Sequence, residues 1–252
     1  MSDLTTVSST AVASAVDRFA AYAAEAAKAE EVAGTFITTR GGVLQYNKQP
    51  IAGNKLDVIV ADAVLENVYY GDDFDPDAPA SPVCYAFGRT EEEMAPHPKA
   101  EKPQHPTCAG CPMNEFGTAT KGKGKACKNT RRLAVLPAGA ADLTADKVLS
   151  NEVAYFKLPV TSVKNWSTYV NKLSVMHRRP PFGVVTEISI TPDPKTQFKV
   201  NFETRALVGD ELADAAFSRH DEQRELITFA YPVNKPAAEE PEKPAKGKSK
   251  KF

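Results

Sequence analysis

About five groups of strand-like residues, an amphipathic helix ahead of the last two groups, and a turn that joins those two into a hairpin predict a mainly β chain with flanking helices. This is an α+β fold, of the kind an OB-fold-like barrel with an insertion would give. Composition alone would also admit another α+β sheet; the helix at 162–177 before the closing hairpin favours the barrel. At 252 residues, 42% hydrophobic and 25% charged, the chain can bury one substantial core and carry an insertion. Its 19 prolines point to many loops.

The Ala-rich opening places Val12, Val16, Phe19 and Ala23 on one helical face from about Ser9 to Val32, with Gly34 near its stop. It lacks a basic start, and Asp17, Arg18 and Glu25 interrupt it, so it does not read as a secretory signal. Beyond Gly34, Phe36, Ile37, Val43, Leu44 and Tyr46 surround a Gly-Gly turn, and KLDVIVADAVLENVYY is dense in β-branched and aromatic residues; both read as strands. The acidic stretch GDDFDPDAPASP is a loop that delivers Cys84. RRLAVLPA and NEVAYFKLPV are further strands, separated by a short helix in DLTADKVLS with Thr144 as a possible cap.

Val163, Trp166, Val170 and Leu173 then recur at helical spacing, with Thr161 or Ser162 as cap and Pro180 and Pro181 as the stop. FGVVTEISITP and TQFKVNFETRALV form the hairpin around PDPK. The expected organisation is an N-terminal helix at 1–33, a core at 34–208 with an insertion at about 81–130, a helix at 209–231, and a charged, disordered tail at 232–252.

The insertion carries the chemistry. Cys108 and Cys111 stand as C-x2-C, a spacing that lets one tight turn offer two sulfurs to a tetrahedral ion, and Cys127 follows. Cys84 would complete a four-cysteine zinc site that uses every cysteine in the chain, with His105 and then His97 as rivals for the fourth position. Four thiolates leave zinc no open position, so such a site is structural. Four separate buried thiols are the plainer alternative.

Lys121, Lys123, Lys125, Lys128, Arg131 and Arg132 follow with no acid after Glu115, a composition suited to phosphate, and the glycines at 122 and 124 permit close backbone approach. Gly117 to Lys123 also fits G-x4-GK. Gly124, however, occupies the place of the magnesium-binding Ser or Thr, and no buried strand leads in, so it is not a P-loop. Tyr85, Phe116 and Tyr155 are among the aromatics that could stack on bases, although strand aromatics are commonly core. Trp166, on the apolar face of its helix, reads as core.

SPVCYAFG, then C-x2-CP-x-NEFGT, then GKGKACKNTRRLAVL resemble a group of bacteriophage single-stranded DNA-binding proteins that have an OB-like core and a zinc-binding insertion. LPVTSVKNWSTYV and PPFGVVTEISIT look like the same group, so the resemblance covers roughly residues 35 to 205. It implies Zn2+ at Cys84, Cys108, Cys111 and Cys127, and a role coating single strands in replication or recombination. The chain departs from many single-strand binders at its end: GKSKKF replaces an acidic tip, and the acidic AEEPE lies earlier.

These readings make the chain a non-enzymatic, sequence-tolerant single-stranded DNA-binding protein, with replication or recombination proteins and a second copy of itself as further partners. The alternative is a zinc-stabilised regulatory or scaffold protein that binds a host or replication protein. A zinc deaminase is not expected, because no H-x-E accompanies the cysteines. The net charge of −1 conceals local asymmetry and does not exclude nucleic acid. No run approaches the ~18 apolar residues of a membrane span, so no membrane partner is expected and the cytoplasm, of a host for a viral gene, is the expected compartment.

Overall fold

The computed structural model describes residues 35–71, 81–120, 122–139 and 143–232. The expected N-terminal helix, most of the acidic loop, Lys121 and the tail from 233 onward lie outside the described residues. Two compact units emerge, each discontinuous in sequence. The first runs to Ala63 and resumes over Arg131–Ile227; the second comprises Val64–Thr130 and the residues from Thr228.

Among the described residues nine strands form: β1 (Thr35–Thr38), β2 (Gln45–Tyr46), β3 (Gln49–Pro50), β4 (Lys55–Tyr69), β5 (Cys84–Gly88), β6 (Lys128–Pro137), β7 (Ala154–Leu158), β8 (Val184–Asp193) and β9 (Gln197–Leu207). Three α-helices accompany them among the described residues: α1 (Ala145–Ser150), α2 (Val163–Lys172) and α3 (Asp210–Leu226). The fold is therefore mainly β with a few helices. Strand order along the sheet is β3-β2-β1-β7-β6-β4-β8-β9, and the sheet curls as an open half-barrel. The pairing of β1 with β7 is parallel; β1–β2, β6–β7 and β8–β9 are antiparallel.

Strand alternation sorts the first unit's core into two clusters. Val58 and Val60 of β4, Leu133 and Val135 of β6, and Phe156 of β7 join Trp166 and Tyr169 of α2 and Leu173 just after it. Ile59 and Ala61 of β4, with Leu136 of β6, instead join Val148 of α1 and Leu212, Ala215 and Ala216 of α3. The helices α2 and α3 thus cover opposite faces of one sheet. Trp166 is core, as its helical spacing indicated: its ring meets Phe202 edge-on, with centroids 5.1 Å apart.

Thr144 caps α1 as expected, accepting from the Lys147 amide at 3.3 Å. Ser162 does not cap α2. Its hydroxyl accepts from the Val200 amide on β9 at 2.9 Å, while Asn165 Nδ2 donates to the Val200 carbonyl at 2.9 Å. The expected single helix over 162–177 changes hand-off midway: after Lys172 a π turn spans Leu173–His177, and Arg178, at φ 50°, ends it in the left-handed region. The PDPK turn is held by Asp193, whose Oδ1 accepts from the amides of Lys195 (3.0 Å) and Thr196 (2.9 Å).

Candidate functional site

The second unit is poor in apolar filling. Among its described residues the buried hydrophobic side chains are Val64, Val68, Tyr85, Ala86 and Met94. So small a core is marginal by itself, and units of this size usually carry a cross-link or a metal.

Pairing of β4 with β5, from Leu65↔Gly88 to Tyr69↔Cys84, brings Cys84 to the end of a ladder. The returning chain runs alongside β5: the His97 amide donates to the Tyr85 carbonyl at 2.8 Å, and the Lys102 amide to the Val83 carbonyl at 2.7 Å. Cys108 is tied to this frame by its amide, which donates to the Met94 carbonyl at 2.9 Å. The C-x2-C turn is then closed by Asn114, which donates from its amide to the Cys111 carbonyl (2.9 Å) and from Nδ2 to the Cys108 carbonyl (3.0 Å). The Cys127 amide donates to the Met113 carbonyl at 2.8 Å.

All four cysteines are free thiols and all four line one cavity of ≈ 20 Å³, together with His105, Asn67 and Asn114. That is space for about one water-sized particle. Burial raises the thiol pKa of Cys84 and Cys108, against hydrogen bonds from the Gln104 backbone and the Asn67 side chain respectively. Burial pushes Cys127 up to about 12, and the sulfurs of Cys108, Cys84 and Cys111 add to the effect. Negative charge on Cys84, Cys108 or Cys127 is therefore opposed by neighbouring cysteine sulfurs as well as by burial, a balance that a cation among them would reverse. Among the described residues, no three His, Cys, Asp or Glu side chains are already converged as metal ligands. The donor set fits a soft cation, but its members stand around the space without closing on it.

The histidines are less suited. His97 does not line the cavity; its ring stacks on Tyr85 (5.0 Å, 21°) and its Nδ1 accepts from the Lys99 amide at 3.1 Å. His105 lines the cavity, with Nδ1 already placed 2.8 Å from the Thr107 carbonyl and 3.2 Å from its amide.

Beyond the cysteine turn the chain makes a small β-like tip. Phe116 bridges Lys125, the Gly117 amide donates to the Gly124 carbonyl at 3.0 Å, and positive φ at Gly117 (87°) and Gly122 (79°) allows the tight return. Phe116 is 81% exposed, and Lys125 Nζ lies 5.2 Å from its ring centroid. Lys125 Nζ also donates to Asn114 Oδ1 at 3.2 Å, so one asparagine serves both the cysteine turn and the tip. Lys123 and Lys128 are exposed, and Lys128 Nζ donates to the Lys125 carbonyl at 2.8 Å. Asn129 extends the network, its Nδ2 donating to Asn67 Oδ1 (2.6 Å) and Asn114 Oδ1 (3.0 Å).

The other sequence candidates are placed differently. Arg131 and Arg132 belong to the first unit. Arg132 is only 4% exposed and its guanidinium donates to the Ile227 carbonyl at the end of α3, so it serves packing and is withdrawn from the cationic surface. Tyr155 lies on the same side, its hydroxyl donating to Gln223 Oε1 at 3.0 Å, and its neighbour Phe156 is fully buried, as alternation requires. Tyr85, 2% exposed, is core: it packs on His97, Phe87 and Tyr231. Of the three named stacking candidates, Phe116 alone presents an open ring. The Asn67–Asn114–Asn129 network was not anticipated; CPMN carries the only local hint, an asparagine three residues after a ligand-type cysteine.

Neither a family model, nor a curated protein, nor a solved structure matches the chain.

Proposed function

We propose that this protein binds single-stranded DNA without strong sequence preference, without catalysing a reaction, in replication or recombination. The observation that carries the reading is the tip of the second unit. An exposed phenyl ring with an ammonium over it, flanked by Lys123 and Lys128 and by bare glycine backbone, offers a stacking platform and phosphate contacts together. Such a pairing tolerates any base, because every base has a π-face. The curl of the sheet supports an OB-like barrel as the frame.

Zinc at Cys84, Cys108, Cys111 and Cys127 is part of the proposal. As a closed thiolate site it supplies a structural cross-link and no reactive position. The residues of this chain do the rest: Asn114 couples the cysteine turn to Lys125, so order at the thiols is transmitted to the tip.

Fluorescence anisotropy of the protein on a labelled mixed-sequence single strand, at two salt concentrations and with duplex competitor, tests this. Salt-sensitive binding that resists duplex is expected. No binding at low salt overturns it.

A further inference from the structure

Two helical stripes of the first unit complement each other in chemistry and belong to helices on opposite faces of its sheet. From Lys157 to Phe182 the chain contains no Asp or Glu. Within that stretch Lys164 and Lys172 on α2 and Arg178 after the π turn are exposed, and among the described residues none of the three is ion-paired. Helical spacing brings Lys164 and Lys172 onto one side, and the same side continues into Val175, 81% exposed, and its neighbour Met176. The result is an apolar knob with cations along one side.

The helix α3 presents the counterpart. Asp210, Asp214, Phe217, Asp221 and Glu225 recur at helical spacing on its solvent side, with Phe217 55% exposed in the middle. Arg224, on the same side, is the one cation that interrupts the acids. Arg219 is drawn away, its guanidinium donating to the Asn151 carbonyl at 2.9 Å.

α2 packs against one face of the sheet and α3 against the other, so Lys164 and Lys172 are separated from the acids of α3 by the sheet, and among the described residues the Phe217 ring meets only the Phe182 ring, edge-on, at 5.3 Å between centroids. We infer that copies of this chain associate head to tail, the Lys164–Arg178 stripe of one copy seated on the Asp210–Glu225 stripe of the next. Lysines and Arg178 would meet carboxylates, and Val175 and Met176 would cover Phe217. A contact between two different surfaces on opposite faces is heterologous, so it extends from copy to copy instead of ending at a pair. The consequence for nucleic acid rests on the single-strand reading above: neighbouring copies on a long strand would support one another, giving cooperative coating.

The test separates the two ideas. Sedimentation velocity without nucleic acid should show the average mass of the wild type climbing beyond a dimer with concentration, and falling with salt. Reversing one stripe (Lys164→Glu, Lys172→Glu, Arg178→Glu) or the other (Asp214→Lys, Asp221→Lys, Glu225→Lys) should weaken association at least about tenfold, with circular dichroism unchanged. Combining both reversals in one chain should restore association. A wild type that stays monomeric, a closed dimer, or association indifferent to either reversal overturns the inference. On a strand long enough for one copy the reversed variants should bind as the wild type does, and on a long strand they should lose steepness. A wild type that associates but binds no strand removes the functional reading and leaves the contact standing.

Discussion

Replacing Phe116 by alanine removes the open ring of the tip and little else. The side chain is 81% exposed, so truncation gives up almost no buried surface, and a surface change of this kind shifts stability by about 0.5 kcal/mol or less. The tip should keep its shape: Gly117 remains bonded to the Gly124 carbonyl through backbone atoms at 3.0 Å, and Lys125 Nζ keeps Asn114 Oδ1 at 3.2 Å after losing the ring. Base–aromatic stacking contributes about 1–3 kcal/mol per base, so affinity for a single strand should fall about 5- to 150-fold. The loss should appear in anisotropy titrations, with an unchanged thermal midpoint and an unchanged salt slope, since no cation is lost. Lys123→Gln should do the converse, a smaller loss of affinity with the salt slope shallower by about 0.7. Full affinity in Phe116→Ala would refute the assignment of the ring. A lowered melting temperature would show that the ring supports the fold instead.

Other outcomes follow from the same geometry. Cys127→Ser should reduce zinc recovered with the purified chain and speed amide exchange across residues 84–130, while β7, β8 and β9 stay protected; a wild type that carries no metal, or a variant that retains it, would contradict the zinc proposal. Tyr231→Phe removes the hydroxyl that donates to Glu66 Oε1 at 2.8 Å, and because Glu66 is fully buried the cost should be about 1–3 kcal/mol in urea unfolding. An unshifted midpoint would mean that water replaces the phenol. Asp193, held below the usual carboxylate range first by Lys199 and then by Thr196, stabilises the β8–β9 hairpin at neutral pH. Its folded pKa lies below the unfolded value of about 3.9, so that contribution is present above about pH 4 and is lost as pH falls toward the folded value. The stability gap between wild type and Asp193→Asn should close in acid, and a gap that persists there would contradict the assignment.

Local patterns were legible where a single physical preference dominates. Thr144 as a cap, the PDPK turn, the placement of Trp166 in the core and the alternation of Tyr155 with Phe156 all follow from neighbours in sequence. The spacing of Cys108 and Cys111 and the cation-rich tip were equally visible. What could not be read were choices made by distant partners. Ser162 looks like a cap because its chain neighbours need one, but Val200, thirty-eight residues on, takes its hydroxyl. Arg132 looks like one of a run of surface cations, yet β6 alternation turns it toward α3, where the Ile227 carbonyl receives it. Tyr85 similarly gains a stacked histidine and the ring of Tyr231 from segments far along the chain. The parallel β1–β7 pair, which joins residues more than a hundred positions apart, leaves no local mark.

The Ser162 and Asn165 contacts to Val200 bear on how the protein behaves when crowded. β9 ends the strand order, and an outer strand invites pairing with any extended segment it meets. With its amide and carbonyl both engaged by Ser162 and Asn165, Val200 interrupts the template in the first half of that strand. Copies brought together at high concentration would then be kept from zipping into a continuous β-sheet along this edge, and contacts between them would be left to side chains.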